Sequence, residues 1–220
     1  MQTETAIRSL SFFNILDEQQ REKLSSISHI ETYGKGYILH YERSRSSRIL
    51  FLVQGLAKAF KIDKYDNEIF LYYIYQDSLL SDISSLEEPS LLSYSNIIIE
   101  EDAAILSIDY PKFQELFLQH NLLSRELAIE TIQQSRQLQD IINREFIFDS
   151  ISKVAMMLDS DLEMFNRLKR YDISLMLHIQ PATLSRVLKR LKREDIIDIQ
   201  KGKVTVYDPE RLQSIYKGLL

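Results

Sequence analysis

Residues 168–207 read LKRYDISLMLHIQPATLSRVLKRLKREDIIDIQKGKVTVY, and this stretch decides the fold. It predicts two short helices with a tight turn between them, then a two-stranded hairpin with Lys201-Gly202 at its tip. Ile173, Met176 and Leu177 recur at i, i+3, i+4, as do Leu184, Val187, Leu188 and Leu191, so each helix has one apolar stripe. Asp172 suits the N-cap of the first helix. Pro181 suits the first position of the second, where a missing N–H is no loss. Thr183, Arg186, Lys189, Arg190 and Arg193 then point away from the core. A solvated charged face usually mixes signs, but no acid interrupts residues 173–193. An amphipathic helix, a turn, a basic helix and a β-wing together suit the DNA major groove.

Charge is distributed in the same sense. Residues 166–220 hold 12 Lys+Arg against 6 Asp+Glu, a net of +6, while residues 1–165 hold 15 against 26, a net of −11. The overall −5 therefore hides an acidic body and a basic end, which points to a polyanion partner for one end only. Within 220 residues one or two domains are expected. No apolar run is long enough to cross a membrane, and the N-terminal MQTETAIRSLSFFN lacks the regions of a secretion signal, so a cytoplasmic protein is expected. The chain has no cysteine, which removes disulfides, thiolate nucleophiles and Cys-ligated iron–sulfur clusters.

Residues 5–30 read as helical, with Leu10, Phe13, Ile15, Leu16, Leu24 and Ile27 available for a core. From about 29 to 110 come short β-like runs: Ile38–Tyr41, Ile49–Val53, Ile69–Tyr75, Ile97–Ile99 and Ala104–Ile108. Turn candidates separate them at Gly34-Lys35-Gly36, Gly55, Asp66-Asn67 and Glu88-Pro89, and so many short strands predict a barrel or sandwich. Pro111 opens a helical stretch. Residues 121–148 lack Gly and Pro and carry an apolar stripe, which predicts a helix roughly 40 Å long. Its twin in a dimer is the expected cover for that stripe, and packing on its own β domain is the alternative.

The order of these segments resembles the cyclic-AMP receptor protein and fumarate–nitrate reduction regulator (Crp/Fnr) superfamily of bacterial transcription factors. The likeness runs through Tyr33–Gly36, Phe51–Lys58, the long helix and Phe148–Ala155 to Thr183–Leu191, the last being its specific part. It implies an α+β protein in three parts. A jelly-roll-like β-roll sensor, similar to a cyclic-nucleotide-binding domain, spans 1–120, a dimerisation helix 121–148 and a winged helix-turn-helix 149–220. It further implies a homodimer bound to an inverted repeat in double-stranded DNA, with RNA polymerase as a further partner. Leu127, Leu138, Ile141 and Ile142 are the dimerisation candidates.

The departures from the family bear on the signal. Cyclic-nucleotide-binding relatives use Gly-Glu and, about ten residues on, Arg-Ser or Arg-Thr to cradle a phosphate. The matching positions here are Ser81, Asp82, Leu92 and Ser93, a degenerate effector pocket. Leucine in place of the cation leaves a buried anion unpaired, at a cost of several kcal/mol, which argues against cyclic AMP. Haem stays open: His40 or His120 could be an axial ligand, but no motif supports either.

In the DNA module the resemblance assigns base reading to Arg186, the family's guanine-reading arginine, with Gln180, Ala182, Thr183 and Ser185 beside it. Ala182 stands where relatives carry a glutamate that accepts from cytosine, and a thymine methyl is its alternative contact. Arg170, Tyr171, Lys189, Arg190, Lys201 and Lys203 are phosphate candidates. His178 stands in the turn where Gly is common, so a backbone with φ > 0 would be strained there. Enzyme chemistry finds little support. His29 and His40 have no His beside them for a cupin metal site, no nucleophile elbow or Gly-rich phosphate loop occurs, and Glu87-Glu88 and Glu100-Glu101 read as solvated turns. The rival to a DNA-binding regulator is a dimeric ligand sensor that signals through protein contacts alone.

Overall fold

The computed structural model describes residues 2–218; Met1, Leu219 and Leu220, which the sequence reading includes in the terminal domains, lie outside the described residues. The chain divides into two compact units, one ending at Arg136 and the other beginning at Gln137. The protein mixes helix and sheet, as expected. No helix among the described residues is long and apolar enough to cross a membrane.

The first unit opens with α1 (Thr3–Ser9), a 3₁₀ turn (Ser11–Phe13) and α2 (Glu18–Ser26). One helical stretch over 5–30 was expected. Instead Leu10 is extended, and Asp17 starts α2 afresh by a capping box with Gln20. Ile15 is consequently exposed, whereas Leu10, Phe13, Leu16 and Leu24 enter the core. Eight strands follow: β1 (Ser28–Tyr33), β2 (Ile38–His40), β3 (Arg45–Ser46), β4 (Arg48–Ile62), β5 (Glu68–Tyr75), β6 (Ser78–Leu79), β7 (Leu91–Leu92) and β8 (Asn96–Asp109). The main sheet is antiparallel in the order β1-β8-β4-β5, with β2 on β8 and β6 on β4, while β3 and β7 pair separately.

Both faces of β4 and β8 are buried, which is why their sequences run apolar without alternation. Ile49 and Phe51, opposite Ile108 and Leu106, join a core with Phe13, Tyr110, Phe113 and Phe117. Leu52 and Ala59, opposite Ile105 and Ile97, join a second core on the other face with Ile74 and Leu80. Ile97–Ile99 and Ala104–Ile108 thus belong to one strand. Glu100 lies within it and pairs with Lys58 at 2.9 Å, so Glu100-Glu101 is not a turn. Gly55 is required inside β4: its φ is +102°, and a Cβ there would stand 2.6 Å from the Asp102 carbonyl oxygen. The sheet leads into α3 (Tyr110–Phe113), with Pro111 in its first turn, a π-helical turn (Gln114–Leu118) and α4 (Ser124–Ile142).

In the second unit a π-helical turn (Asn143–Ile147) follows α4 and leads to α5 (Ser150–Ser160), α6 (Leu162–Arg167), α7 (Arg170–Met176) and α8 (Pro181–Arg193). Strands β9 (Ile197–Gln200) and β10 (Lys203–Val206) then form the hairpin, and α9 (Pro209–Lys217) closes the unit. Aspartates cap three of these helices: Asp149 on α5, Asp161 on α6 and Asp208 on α9, each accepting from a backbone N–H inside the first turn. The predicted apolar stripes pack together, Ile173 and Leu177 against Leu184, Val187, Leu188 and Leu191, with Val154, Phe165 and Leu212 completing the core.

Candidate nucleic-acid interface

The apolar side of α8 is buried, which leaves Ala182, Ser185, Arg186, Lys189 and Arg193 exposed along its outer face. Gln180 is the exposed N-cap and Thr183 is half-buried. The Ser185 hydroxyl donates to the Pro181 carbonyl at 3.1 Å, so its lone pairs stay available to an outside donor. The cations of this helix fall into two sets. Arg190 Nε donates to Glu194 at 2.9 Å, and Lys192 Nζ reaches Asp198 of β9 at 2.7 Å. That lysine holds the Asp198 carboxyl far below the usual carboxylate range. Among the described residues, Arg186 and Lys189 form no hydrogen bond or ion pair within the chain. The Lys192 pair is not visible in the sequence, because Asp198 arrives from the wing, whereas Arg190 and Glu194 stand four residues apart at i, i+4 spacing.

Two side chains fix the wing. Asn166 of α6 accepts from the Val204 N–H at 2.7 Å and donates to the Val204 carbonyl at 2.8 Å, pairing with β10 as a third strand would. Arg170 stacks over the Phe165 ring, 4.7 Å from Cζ to the centroid, and its Nη2 donates to the Gly202 carbonyl at 2.6 Å. Burial lowers the pKa of this guanidinium, and its Nη1 is buried without a partner. Arg170 therefore supports the wing, and it is not the freely exposed cation its sequence position implied. The predicted cap is also corrected: α7 starts after Lys169, so Asp172 lies inside the first turn. At the wing tip Lys201 (φ +49°) and Gly202 (φ +83°) supply the two left-handed residues that a tight hairpin turn needs. Lys201 and Lys203 are exposed, as is Tyr171.

The dimerisation candidates separate. Leu127 is buried in the core of the first unit and is not available to a partner, because that core extends from Phe117 through Leu123 onto α4. Leu138 and Ile142 are 55% and 43% exposed, Ile141 is half-buried, and Phe146 beyond them is 84% exposed.

The four degenerate-cassette residues are engaged locally. Ser81 Oγ accepts from Leu50 N–H at 3.0 Å, and Asp82 accepts from Tyr94 N–H at 2.8 Å. Leu92 N–H donates to Ser84 Oγ at 2.7 Å, and Ser93 exchanges backbone bonds with Arg43 and Ser44. Burial pushes the Asp82 carboxyl up, with Tyr94 N–H and Lys61 opposing it, and Lys61 is itself paired with Glu42. A groove of about 1110 Å³ lies beside this segment, walled by Leu86, Pro111, Gln114, Leu127 and Ile132 among others. Glu87 is the one charged residue among the described residues lining it, and none of the four cassette residues does so. The groove does not reach His40 or His120 either. His40 is neutral, since burial lowers its pKa to about 4, and its Nε2 has no hydrogen-bond partner. Among the described residues no group of three or more His, Cys, Asp or Glu is placed to hold a metal ion.

A basic helix seated behind a helix and a turn, with a wing tied to its base, defines the second unit as a winged helix-turn-helix. Residues 152–215 match the family model described as the Crp-like helix-turn-helix domain. The fold of the whole resembles solved structures of similar length. FixK2 from Bradyrhizobium japonicum is 17% identical with a TM-score of 0.67, over 86% of this chain and 98% of that one. A CooA mutant from Carboxydothermus hydrogenoformans is 18% identical with a TM-score of 0.68, over 86% and 88%. The c-di-GMP responsive global regulator CLP from Xanthomonas campestris is 17% identical with a TM-score of 0.63, over 87% and 99%. At such identities the likeness is one of fold. No protein of curated function matches the sequence. Residues 152–215 therefore form a Crp-like helix-turn-helix domain, and the fold of the whole chain is similar to that of these solved structures.

Proposed function

We propose that the chain is a homodimeric, sequence-specific DNA-binding regulator that places two α8 helices in successive major grooves about 34 Å apart, on an inverted repeat. The observation that carries this reading is the outer face of α8, where Arg186 and Lys189 are exposed and unpaired while Arg190 and Lys192 are held by acids of the same module. Arg186 reads a guanine by a bidentate contact, and Gln180, Ala182, Thr183 and Ser185 meet neighbouring base edges. Lys189, Lys201, Lys203 and Tyr171 contact phosphates, as does Arg190 in exchange for Glu194, while Arg170, a phosphate candidate by its sequence position, acts through the wing it supports. The exposed Leu138 and Ile142, with the half-buried Ile141, form the dimer seam. RNA polymerase is the further partner that transcription control in the cytoplasm entails, and the protein has no enzymatic activity of its own.

A signal enters through the first unit, which holds the β-roll and the first part of α4. Cyclic AMP is disfavoured, since Leu92 offers its phosphate no cation and the polar groups around it already have partners. The groove beside it, with Glu87 as its charged lining residue, favours an uncharged small molecule. Haem has the weaker case, because the groove meets neither His40 nor His120.

The test is selection of an operator from a random DNA pool, followed by titration of wild type and Arg186→Ala. The expected loss is about tenfold to a hundredfold in specific affinity, with weak salt-sensitive binding retained. Undiminished specific affinity in the variant removes Arg186 from the site. Folded wild-type protein that selects no DNA at all favours signalling through protein contacts.

A further inference from the structure

We infer that Glu145 and His178 form a tether that delivers the position of the end of the central helix to the recognition helix. Both lie in the second unit, and the inference rests on the DNA-binding reading above.

The turn between α7 and α8 has the hydrogen bonds of a Schellman motif. Ile179 N–H donates to the Ser174 carbonyl at 3.0 Å, and His178 N–H donates to the Leu175 carbonyl at 3.1 Å. His178 occupies the left-handed position of that motif with φ +50°. Glycine is the usual residue there because a Cβ is strained in this conformation. Unlike glycine, the histidine brings a side chain to this position, and that side chain is engaged: Nδ1 lies 2.7 Å from Glu145 Oε2. The other carboxylate oxygen, Oε1, accepts from Arg144 Nε at 2.8 Å, and Arg144 is buried. Burial alone would push the Glu145 carboxyl up, but the contacts with His178 and Arg144 outweigh it and hold the group below the ordinary carboxylate range.

Glu145 also sits where the central helix changes character. The π-helical turn Asn143–Ile147 closes with Phe148 N–H on the Asn143 carbonyl at 2.8 Å, and Phe148 is extended. A π turn holds one residue more than an α turn, so it can be taken up or released by a small rotation of the helix. Such a rotation moves the carboxylate, and through it the residue that immediately precedes Ile179, Gln180 and α8. The turn is then positioned by two anchors, its own backbone bonds and the Glu145 carboxylate. A glycine at 178 would keep only the first.

Four full-length variants test this: His178→Gly, His178→Asn, Glu145→Ala and the double Glu145→Ala/His178→Gly. His178→Gly relieves backbone strain, so thermal stability is expected to hold or rise while operator affinity falls about tenfold and non-specific DNA binding is unchanged. A merely structural role for His178 would move stability and affinity together. The double variant should be no weaker than either single change, because each removes the same contact. Asparagine tolerates a left-handed backbone and carries a donor, and it should restore part of the affinity. Hydrogen exchange at the His178 and Ile179 amides, measured without DNA, should accelerate in Glu145→Ala. Wild-type affinity in His178→Gly, additive losses in the double variant, or unchanged exchange in Glu145→Ala each overturn the tether. Lack of any operator for the wild-type chain defeats the DNA reading itself, whereas the exchange measurement still judges the contact.

Discussion

Replacing Asn166 with Ala removes two hydrogen bonds at one residue of the wing. The Asn166 carboxamide pairs with both the N–H and the carbonyl of Val204, and Val204 is buried. Each net hydrogen bond contributes about 1 kcal/mol, and an unpaired buried group costs ~1–3 kcal/mol. Asn166 is itself half-buried, so water can recover part of this, and a destabilisation of ~2 kcal/mol follows for the second unit. For a unit of this size that corresponds to a fall in melting temperature on the order of 10 °C, measurable by circular dichroism on the full chain. A second effect is expected on DNA. With β10 loosened, Lys201 and Lys203 no longer hold fixed places at the wing tip, and each phosphate left without its lysine flattens the log–log salt dependence of binding by ~0.9. Asn166→Asp should be no better than Ala, because it keeps the acceptor for Val204 N–H but sets an anion against the Val204 carbonyl. Melting and salt dependence identical to wild type in Asn166→Ala would refute the assignment of the wing's anchorage to this side chain.

Glutamate at both Leu138 and Ile142 puts two charges on the proposed seam and should weaken dimerisation by at least about a hundredfold, read by sedimentation, with the fold kept. Leu127→Glu should instead unfold the first unit, since Leu127 belongs to its core; a Leu138/Ile142 variant that remains dimeric places the seam elsewhere. His40 gives the first unit an acid limb. Its folded pKa is depressed to about 4 while the unfolded chain takes up the proton near ~6.5, so its destabilising effect is absent above that pH. Stability then falls as pH drops from ~6.5 towards 4, by up to ~3 kcal/mol, because the unfolded state binds a proton that the folded state declines. Urea unfolding at pH 7.5 and pH 5 should show this loss in wild type and a smaller one in His40→Leu; equal losses would discount burial as the cause.

The sequence made the second unit legible because its signals are local. Pro181 marks the start of α8, the spacing of Leu184, Val187, Leu188 and Leu191 gives its buried side, and Lys201-Gly202 gives the wing turn. The first unit was harder to read for a physical reason. β1 (SHIETY) follows α2 after a single residue and is only partly buried, so it has neither a turn signal nor a strong apolar period. Glu100-Glu101 resembled a turn because its partner Lys58 comes from a strand more than forty residues earlier. Asp172 looked like a cap because of its residue type, whereas α7 begins after Lys169, which makes no side-chain cap bond. Boundaries without a local signal and pairings set by distant residues were thus the ones missed. In the candidate site the exposed residues and the i, i+4 spacing of Arg190 and Glu194 were legible, but the capture of Lys192 by Asp198 of the wing was not.

The division of the cations into paired and free changes how the basic end should be understood. Of the 12 cations in residues 166–220, five lie on α8, and two of these, Arg190 and Lys192, are paired with Glu194 and Asp198. A cation already paired within the protein releases fewer counterions when it meets a phosphate, and breaking its ion pair offsets part of the gain. Arg170 is likewise partly engaged by the wing. Each half-site is therefore held by a few free side chains, chiefly Arg186, Lys189 and the two wing-tip lysines, and a single copy should bind weakly. Joining two copies makes the second contact intramolecular, and affinity then depends on whether both α8 helices can reach their grooves at once. A small change in their spacing thereby becomes a large change in occupancy, so a regulator with modest single-copy affinity is easier to switch than one whose every cation is free.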